Sequence, residues 1–326
     1  MKSGFAFIVT HLEIEGDLPV EILDGYFFRH ARDQEIEIIE NILSQSNYGS
    51  WPWPAYNETL TIVEETGNIR RSGEKLPRDQ WKYWVIAYNY DDKENRMHDI
   101  DRALMLLSPD IETGFVVVFF EYNQQGRKWG CTKPPPHITE KYTTPPKCTE
   151  YASTISMSEL GKICNIVRSI DELNEKYEFI NYAIEIFDST KLINTHLKAK
   201  TILYFSIIEA LVTHKPQDLE KKDSITHQIK SKMNLLQKKY PREIPISDYF
   251  GDYLAPKIWG ILYDYRSVLA HGGKPDFEKP NKHKILKDQK TISVFLKENI
   301  KELILLALHD PEFIAGLKNA DDTRHL

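Results

Sequence analysis

The chain has 326 residues, of which 41% are hydrophobic and 28% are charged, and its formal net charge at pH 7 is −6. This balance is typical of a folded globular protein and argues against a disordered chain. No apolar run approaches the roughly 18 residues that a membrane-spanning helix needs, and the first residues lack the pattern of a secretory signal. We therefore expect neither a membrane protein nor a secreted one.

The cysteines indicate a reducing environment. Cys131, Cys148 and Cys164 are odd in number and show no CxxC spacing, so neither a disulfide framework nor a structural zinc site is expected. A metal site built from Cys131, His137 and Cys148 is the competing interpretation, but these residues lie in a proline-rich stretch with no standard ligand spacing. We expect a cytoplasmic protein that uses no cofactor.

Residues 1–150 predict an α+β domain. The opening segment MKSGFAFIVTHLEIEG predicts a first β-strand, and aromatic and β-branched residues predict further strands at 80–90 and 114–123. Apolar residues recur at intervals of three and four over 34–45 and 98–107, which is typical of amphipathic helices. No motif in this domain identifies a reaction.

A linker and an all-α domain follow. Five prolines between 131 and 148 predict a linker over about 131–150, because proline is excluded from helix interiors and central strands. Residues 151–326 show helical patterns only, and Ser156 with Glu159 predicts a capping box at the first helix. Further helices are predicted over 174–187, 191–214, 218–240, 256–270 and 287–308, with a last one after Asp310 and Pro311. The predicted fold class is α+β, an amino-terminal domain of mixed β-sheet and helices followed by an all-α helical bundle.

The segment YDYRSVLAHGG, residues 263–273, combines an arginine with a histidine at a predicted helix end. Gly272 predicts a left-handed C-terminal cap, which places Arg266 in the last turn and His271 at the exit. On a continuous helix, residues five positions apart are rotated by about 140° and do not share a face. Ending the helix at His271 frees its imidazole to turn.

This pair has the chemistry to cleave RNA without a metal. Arginine presents a charged planar fork that suits phosphate oxygens, and histidine gives or takes a proton near neutral pH. Deprotonation of a ribose 2′-hydroxyl, or protonation of the leaving 5′-oxygen, would leave a 2′,3′-cyclic phosphate and a 5′-hydroxyl. The structural alternative is a surface arginine with a histidine that caps the helix near the negative end of its dipole.

YDYRSVLAHGG resembles the Arg-x4–6-His signature of HEPN domains, and LYFSIIEALVTH, residues 203–214, resembles the preceding helix in the Apea-like HEPN subgroup. The resemblance covers roughly residues 155–320. It implies a HEPN-type bundle that forms a homodimer, so that two Arg-His motifs meet in one cleft as a metal-independent endoribonuclease. Members commonly act in bacterial toxin–antitoxin, abortive-infection and anti-phage systems, which implies RNA as substrate and an antitoxin or a phage-derived trigger as a possible partner.

The resemblance also implies roles for individual residues. Arg266 would stabilise phosphate charge, and His271 would be the acid or base. Ser267 stands where family members often place Asn, Asp or His, although its hydroxyl can still donate to phosphate. Glu209 would orient the arginine, or simply face solvent. Tyr263 would stack on a base, or pack in the core or in a dimer.

The segment 221–242 is strongly basic, with seven Lys or Arg residues against one Asp. Such a local excess can hold a phosphate backbone, and the alternative is a solvated helix face. The residues predicted to bind RNA are Lys221, Lys222, Lys230, Lys232, Lys238 and Lys239.

Two functions therefore compete. The intact Arg-His pair favours an endoribonuclease, with residues 1–150 as a sensing or regulatory module, because an always active ribonuclease would harm its own cell. Ser267 and the net negative charge favour the alternative, a catalytically silent HEPN-like binding or dimerisation module with a ligand- or partner-sensing amino-terminal domain.

Overall fold

The computed structural model describes residues 2–10, 12–45, 54–65, 68–90, 95–120, 128–132, 153–194, 197–216, 224–277 and 282–319. The chain forms two compact units, Met1–Val167 and Arg168–Leu326. The first contains the β-structure and the second is helical, so the predicted α+β fold class is confirmed.

A six-stranded antiparallel sheet forms the centre of the first unit. The strands of this unit are β1 (Lys2–Ile8), β2 (Leu12–Glu15), β3 (Val20–Leu23), β4 (Tyr26–His30), β5 (Glu58–Glu65), β6 (Asn68–Lys75), β7 (Trp84–Tyr90), β8 (Thr113–Phe119), β9 (Trp129–Cys131) and β10 (Ser153–Ser156). The large sheet has the order β3-β4-β7-β1-β8-β9. Strand β8 therefore lies in the interior of the sheet, as its apolar sequence predicts.

Helices of the first unit lie against this sheet. They are α1 (Asp33–Gln45), α2 (Pro54–Asn57) and α3 (Met97–Leu106). Phe5 pairs with Val117 across β1 and β8, and both belong to a buried core with Ile39 of α1. The alternate residues point to the opposite face, where the hydroxyl of Tyr26 accepts a hydrogen bond from the backbone of Arg96, just before α3.

Two small sheets complete the first unit, and the sequence predicts neither. Strands β5 and β6 form an antiparallel hairpin, while β10 pairs in parallel with β2. The second pairing explains why Ser153–Ser156 groups with the first unit, although the sequence predicts a division at about residue 150. Helix α4 (Met157–Asp171) follows, and the Ser156 hydroxyl accepts a hydrogen bond from Glu159 N at 3.2 Å, which confirms the serine half of the predicted capping box.

The described part of the second unit is built from helices. They are α5 (Glu178–Ser189), α6 (Lys198–Val212), α7 (Ile225–Leu236), α8 (Ile246–Phe250), α9 (Ala255–Ala270), α10 (Gln289–His309) and α11 (Pro311–Asn319). Ser224, Asp288 and Asp310 each accept a hydrogen bond from the first turn of α7, α10 and α11, which satisfies amides that a helix start leaves free. The start predicted at Asp310 and Pro311 is therefore confirmed.

Helix α6 is the centre of the second unit. It contacts α5, α7, α9, α10 and α11, and eight of its 15 residues are buried, among them Tyr204, Phe205, Ile207 and Ile208 at 1% exposure or less. A helix with so wide an apolar face belongs in a core. The carboxylate of Glu209 departs from this apolar pattern. A partly buried carboxylate needs a hydrogen-bonding or charged partner.

None of the helices in the described part of the chain combines the length and the apolar character that crossing a membrane requires.

Candidate active site

Helix α9 ends in a Schellman motif. Gly272 has a φ of 73°, and its N–H donates to Leu269 O at 3.0 Å, while Gly273 N–H donates to Val268 O at 2.8 Å. These two bonds close a helix through a left-handed residue. His271 is the C-cap residue, and the left-handed cap that the sequence predicts at Gly272 is confirmed.

We expect Gly272→Ala to lower the free energy of unfolding by about 1–2 kcal/mol, because a side chain in the left-handed region clashes with the following carbonyl. Gly273→Ala should also destabilise, since its Cβ would lie 2.6 Å from Val268 Cγ1 and 2.9 Å from Val268 O. Gly316→Ala is the matched control, because nothing lies within 4 Å of a Cβ there and alanine favours a helix by about 0.5–1 kcal/mol. Urea denaturation measures all three. Equal effects at Gly272 and Gly316 would contradict the capping role.

Arg266 lies in the last turn of α9 and is held from α6. Its Nη2 donates to Glu209 Oε2 at 3.3 Å and lies 3.2 Å from Oε1. The guanidinium carbon lies 5.6 Å from the ring centroid of Tyr263, and that ring meets Phe205 edge to face at 5.7 Å. The side chains of Arg266 and Glu209 are 24% and 22% exposed, so the pair is oriented and still open to solvent.

The arginine retains unused donor capacity. Among the residues that the structure describes, Arg266 Nε is buried without a hydrogen-bond partner, and so is Glu209 Oε1, which is close to Nη2 without a hydrogen-bonding angle. Buried polar atoms of this kind are rare because each costs free energy. A guanidinium has five N–H donors, and Glu209 contacts only Nη2. The other amino group, Nη1, can therefore bind a second anion, whereas the buried Nε cannot reach one.

The protonation of Glu209 is sensitive to this environment. Burial raises the pKa of Glu209 above its usual value of 4.5, while the Arg266 guanidinium and a hydrogen bond with Tyr263 oppose the shift. Burial also raises the pKa of Tyr263, with the negative charge of Glu209 adding to the effect. The phenol therefore remains protonated at neutral pH and can donate to the carboxylate.

The raised pKa of Glu209 predicts a pH-dependent stability. A carboxyl group whose pKa is higher in the folded state than in the unfolded chain stabilises the folded state while it is protonated. This contribution to the free energy of unfolding is lost as the pH rises through the folded pKa. The free energy of unfolding of the wild type, relative to Glu209→Gln, should therefore fall as the pH rises above 4.5 and then level off. Urea denaturation between about pH 4 and pH 7 measures this difference.

The control for this experiment is Glu185→Gln, which changes an exposed glutamate on α5. We expect its free energy of unfolding to follow that of the wild type across the same pH range. A difference between wild type and Glu209→Gln that stays constant with pH would contradict the environment described for Glu209.

His271 stands apart from the Arg266 cluster. It is exposed, and its backbone N–H donates to Ser267 O at 3.1 Å, which leaves the imidazole at the open end of α9. Ser267 is half-buried within the last turn. The structure thus brings Arg266, Glu209 and Tyr263 together and places His271 and Ser267 at the adjoining helix end.

Phe205 is a member of this cluster that the sequence does not single out. It lies four residues before Glu209, and Tyr263 lies three residues before Arg266. Residues at these spacings share a helix face, so the same contact between α6 and α9 places Phe205 on Tyr263 and Glu209 on Arg266. This spacing is the signal that could have identified Phe205.

Lys232 does not bind RNA in the way that the sequence predicts. It is 1% exposed, and its ammonium donates to the backbone oxygen of Lys318 at 3.0 Å. His214 Nδ1 lies 2.8 Å from the same oxygen, and the ammonium of Lys318 donates to Ala210 O. Carbonyls at the ends of α6 and α11 thus bind both lysines. The prediction for Lys232 is wrong, because a buried ammonium cannot reach a phosphate.

The other predicted lysines that the structure describes differ in exposure. Lys230 is partly buried and lies across Gly260 of α9, where the missing side chain leaves room for it. Lys238 and Lys239 follow α7 and are exposed. The remaining two lie outside the described residues: Lys221 and Lys222.

The structure describes one residue of the competing metal site. Cys131 is exposed at the end of β9, whereas His137 and Cys148 lie outside the described residues. Within the described ranges, no group of three or more His, Cys, Asp or Glu side chains is placed to hold a metal ion.

No protein-family model, curated protein or solved structure matches the chain. The resemblance to HEPN domains therefore rests on the two segments that carry it, residues 203–214 and 263–273. Both segments meet at the contact between Glu209 and Arg266.

Proposed function

We propose that this protein is a metal-independent endoribonuclease in which Arg266 and His271 perform the chemistry. The observation that carries the proposal is the end of α9, where Glu209 holds Nη2 of an arginine whose Nη1 is left to bind a phosphate. A histidine follows five residues later, and the helix stops there and leaves it exposed. The resemblance of this segment to the HEPN signature supports the same function.

The proposed reaction needs no group beyond two copies of the chain and the RNA. His271 removes the proton from a ribose 2′-hydroxyl, or protonates the leaving 5′-oxygen. The 2′-oxygen forms a bond to phosphorus as the bond to the 5′-oxygen breaks, which gives a 2′,3′-cyclic phosphate and a 5′-hydroxyl. Arg266 stabilises the charge that develops on the phosphoryl oxygens. Ser267 and Tyr263 lie beside this position and support the phosphate and a neighbouring base.

A homodimer would complete the acid–base chemistry. The reaction needs one group to accept a proton and another to donate one, and each chain supplies one histidine of the motif. The resemblance implies two motifs in one cleft, so His271 and His271 of a second copy would fill the two roles. The same resemblance supports a role in bacterial anti-phage defence, abortive infection or toxin–antitoxin pairs, with the first unit as the sensing module of a cytoplasmic protein.

Cleavage of RNA and DNA of the same sequence in excess EDTA tests this proposal. We expect the purified protein to cut the RNA and to leave the DNA intact, because DNA lacks the 2′-hydroxyl. RNA cleavage that requires Mg²⁺ would contradict a metal-independent reaction. RNA that stays intact with and without Mg²⁺ would favour the silent binding module.

A further inference from the structure

The chain that leaves His271 folds back onto the helix from which it came. The described residues 272–277 and 282–288, called the strap here, connect the end of α9 to the start of α10. The ring centroid of Phe277 lies 5.6 Å from that of Tyr265, six residues before His271. Six helical residues span about 9 Å, so the strap reverses at Gly272 and runs back along α9 within a few residues.

A second anchor holds the strap to the same part of α9. His283 Nε2 donates to Asp264 Oδ2 at 2.8 Å, and the His283 side chain is 9% exposed. Its ring also meets Tyr265 edge to face at 5.7 Å. The strap therefore contacts α9 through a tilted ring contact at Phe277 and a partly buried hydrogen bond at His283.

Tyr265 connects both anchors to the bundle. It is fully buried, and burial raises its pKa to about 12, so its hydroxyl stays protonated and donates to Gln289 Oε1 at 2.6 Å. The amide of Gln289 in turn donates to Thr201 on α6 at 2.8 Å. The surface that receives the strap is thus fixed to α10 and to the central helix.

We infer that His283 and Asp264 are positioning residues for His271, an inference that rests on the proposed function. Glu209 fixes Arg266 from α6, but His271 is an exposed C-cap whose place depends on the path of the chain after it. The His283–Asp264 bond sets that path by holding the strap against α9. Its loss would let the Schellman turn open and would move the imidazole relative to Arg266. A displacement of about 1 Å can lower a catalytic rate by about 10²-fold.

Three variants of the full-length protein test this inference on an RNA oligonucleotide. His283→Ala removes the bond, His283→Gln retains an N–H donor for Asp264, and Lys284→Ala changes the exposed neighbour. We expect His283→Ala to lower kcat by about 10²-fold with little change in KM, because the group that moves performs chemistry and does not bind RNA. We expect His283→Gln to restore most of kcat and Lys284→Ala to leave both constants unchanged.

The imidazole resonance of His271, measured by NMR with labelled histidine, provides a readout that does not depend on activity. We expect it to shift in His283→Ala and to return in His283→Gln, while the resonance of His227 stays in place. If the wild type cuts no RNA, the proposed function fails and this resonance still reports on the strap. An unchanged resonance in His283→Ala, or a kcat loss that His283→Gln shares or that follows the unfolded fraction, would overturn the positioning role.

Discussion

Replacing Arg266 with alanine is expected to lower the rate of RNA cleavage by about 10²- to 10³-fold, the usual effect of removing a donor aimed at transition-state charge. Lysine should recover little of this rate. It keeps the positive charge but lacks the planar fork that can bind Glu209 and a phosphate together. Rates on a defined RNA oligonucleotide, measured in single-turnover conditions, separate this loss from a change in RNA binding.

Arg266→Ala also leaves the Glu209 carboxylate without its cation, which is a cost in stability. The double variant with Glu209→Gln removes that carboxylate charge, and we expect it to be as inactive as the single variant. Arg168→Ala is the matched control, since Arg168 is an exposed arginine on α4 and should retain the full rate. Activity that returns in the double variant would show that instability, and not chemistry, caused the loss.

Replacing His271 with asparagine is expected to lower the rate by about 10²- to 10⁴-fold, as for loss of a general acid or base. Because His271 is exposed at a helix C-cap, the free energy of unfolding should change by about 0.5 kcal/mol or less. The part of the dependence of rate on pH that comes from His271 should also disappear, since asparagine does not titrate. The test compares activity, pH profile and urea denaturation on one preparation.

His227→Asn is the control for this substitution. His227 is an exposed histidine on α7, and its loss should change neither the rate nor the pH profile. If His271→Asn is as active as His227→Asn, the histidine of the motif only caps the helix.

The sequence predicts those elements that depend on local patterns. The period of apolar residues predicts α1 and α10, and turn chemistry predicts the left-handed Gly272. The β5–β6 hairpin carries mixed charges in place of an apolar alternation, and the pairing of β10 with β2 joins residues about 140 positions apart, which no local pattern encodes.

At the candidate site, too, local sequence patterns do not determine the contacts between residues that lie far apart in the chain. The sequence allows two interpretations of Glu209, as a solvent-facing residue or as a partner of the arginine. The packing of α6 against α9 places it on Arg266. The charge excess of segment 221–242 does not indicate which lysines face the core, so Lys232 is wrongly assigned to RNA. The bond between His283 and Asp264 spans 19 positions and depends on the path of the strap.

The 3′ ends of the RNA products provide the most direct test of the Arg266–His271 chemistry. We would incubate the wild type, Arg266→Ala and His271→Asn with RNA in excess EDTA and identify the end groups. The proposed reaction predicts 2′,3′-cyclic phosphate and 5′-hydroxyl ends from the wild type alone. The same ends at equal rates from all three proteins, or 3′-hydroxyl ends from the wild type, would contradict it.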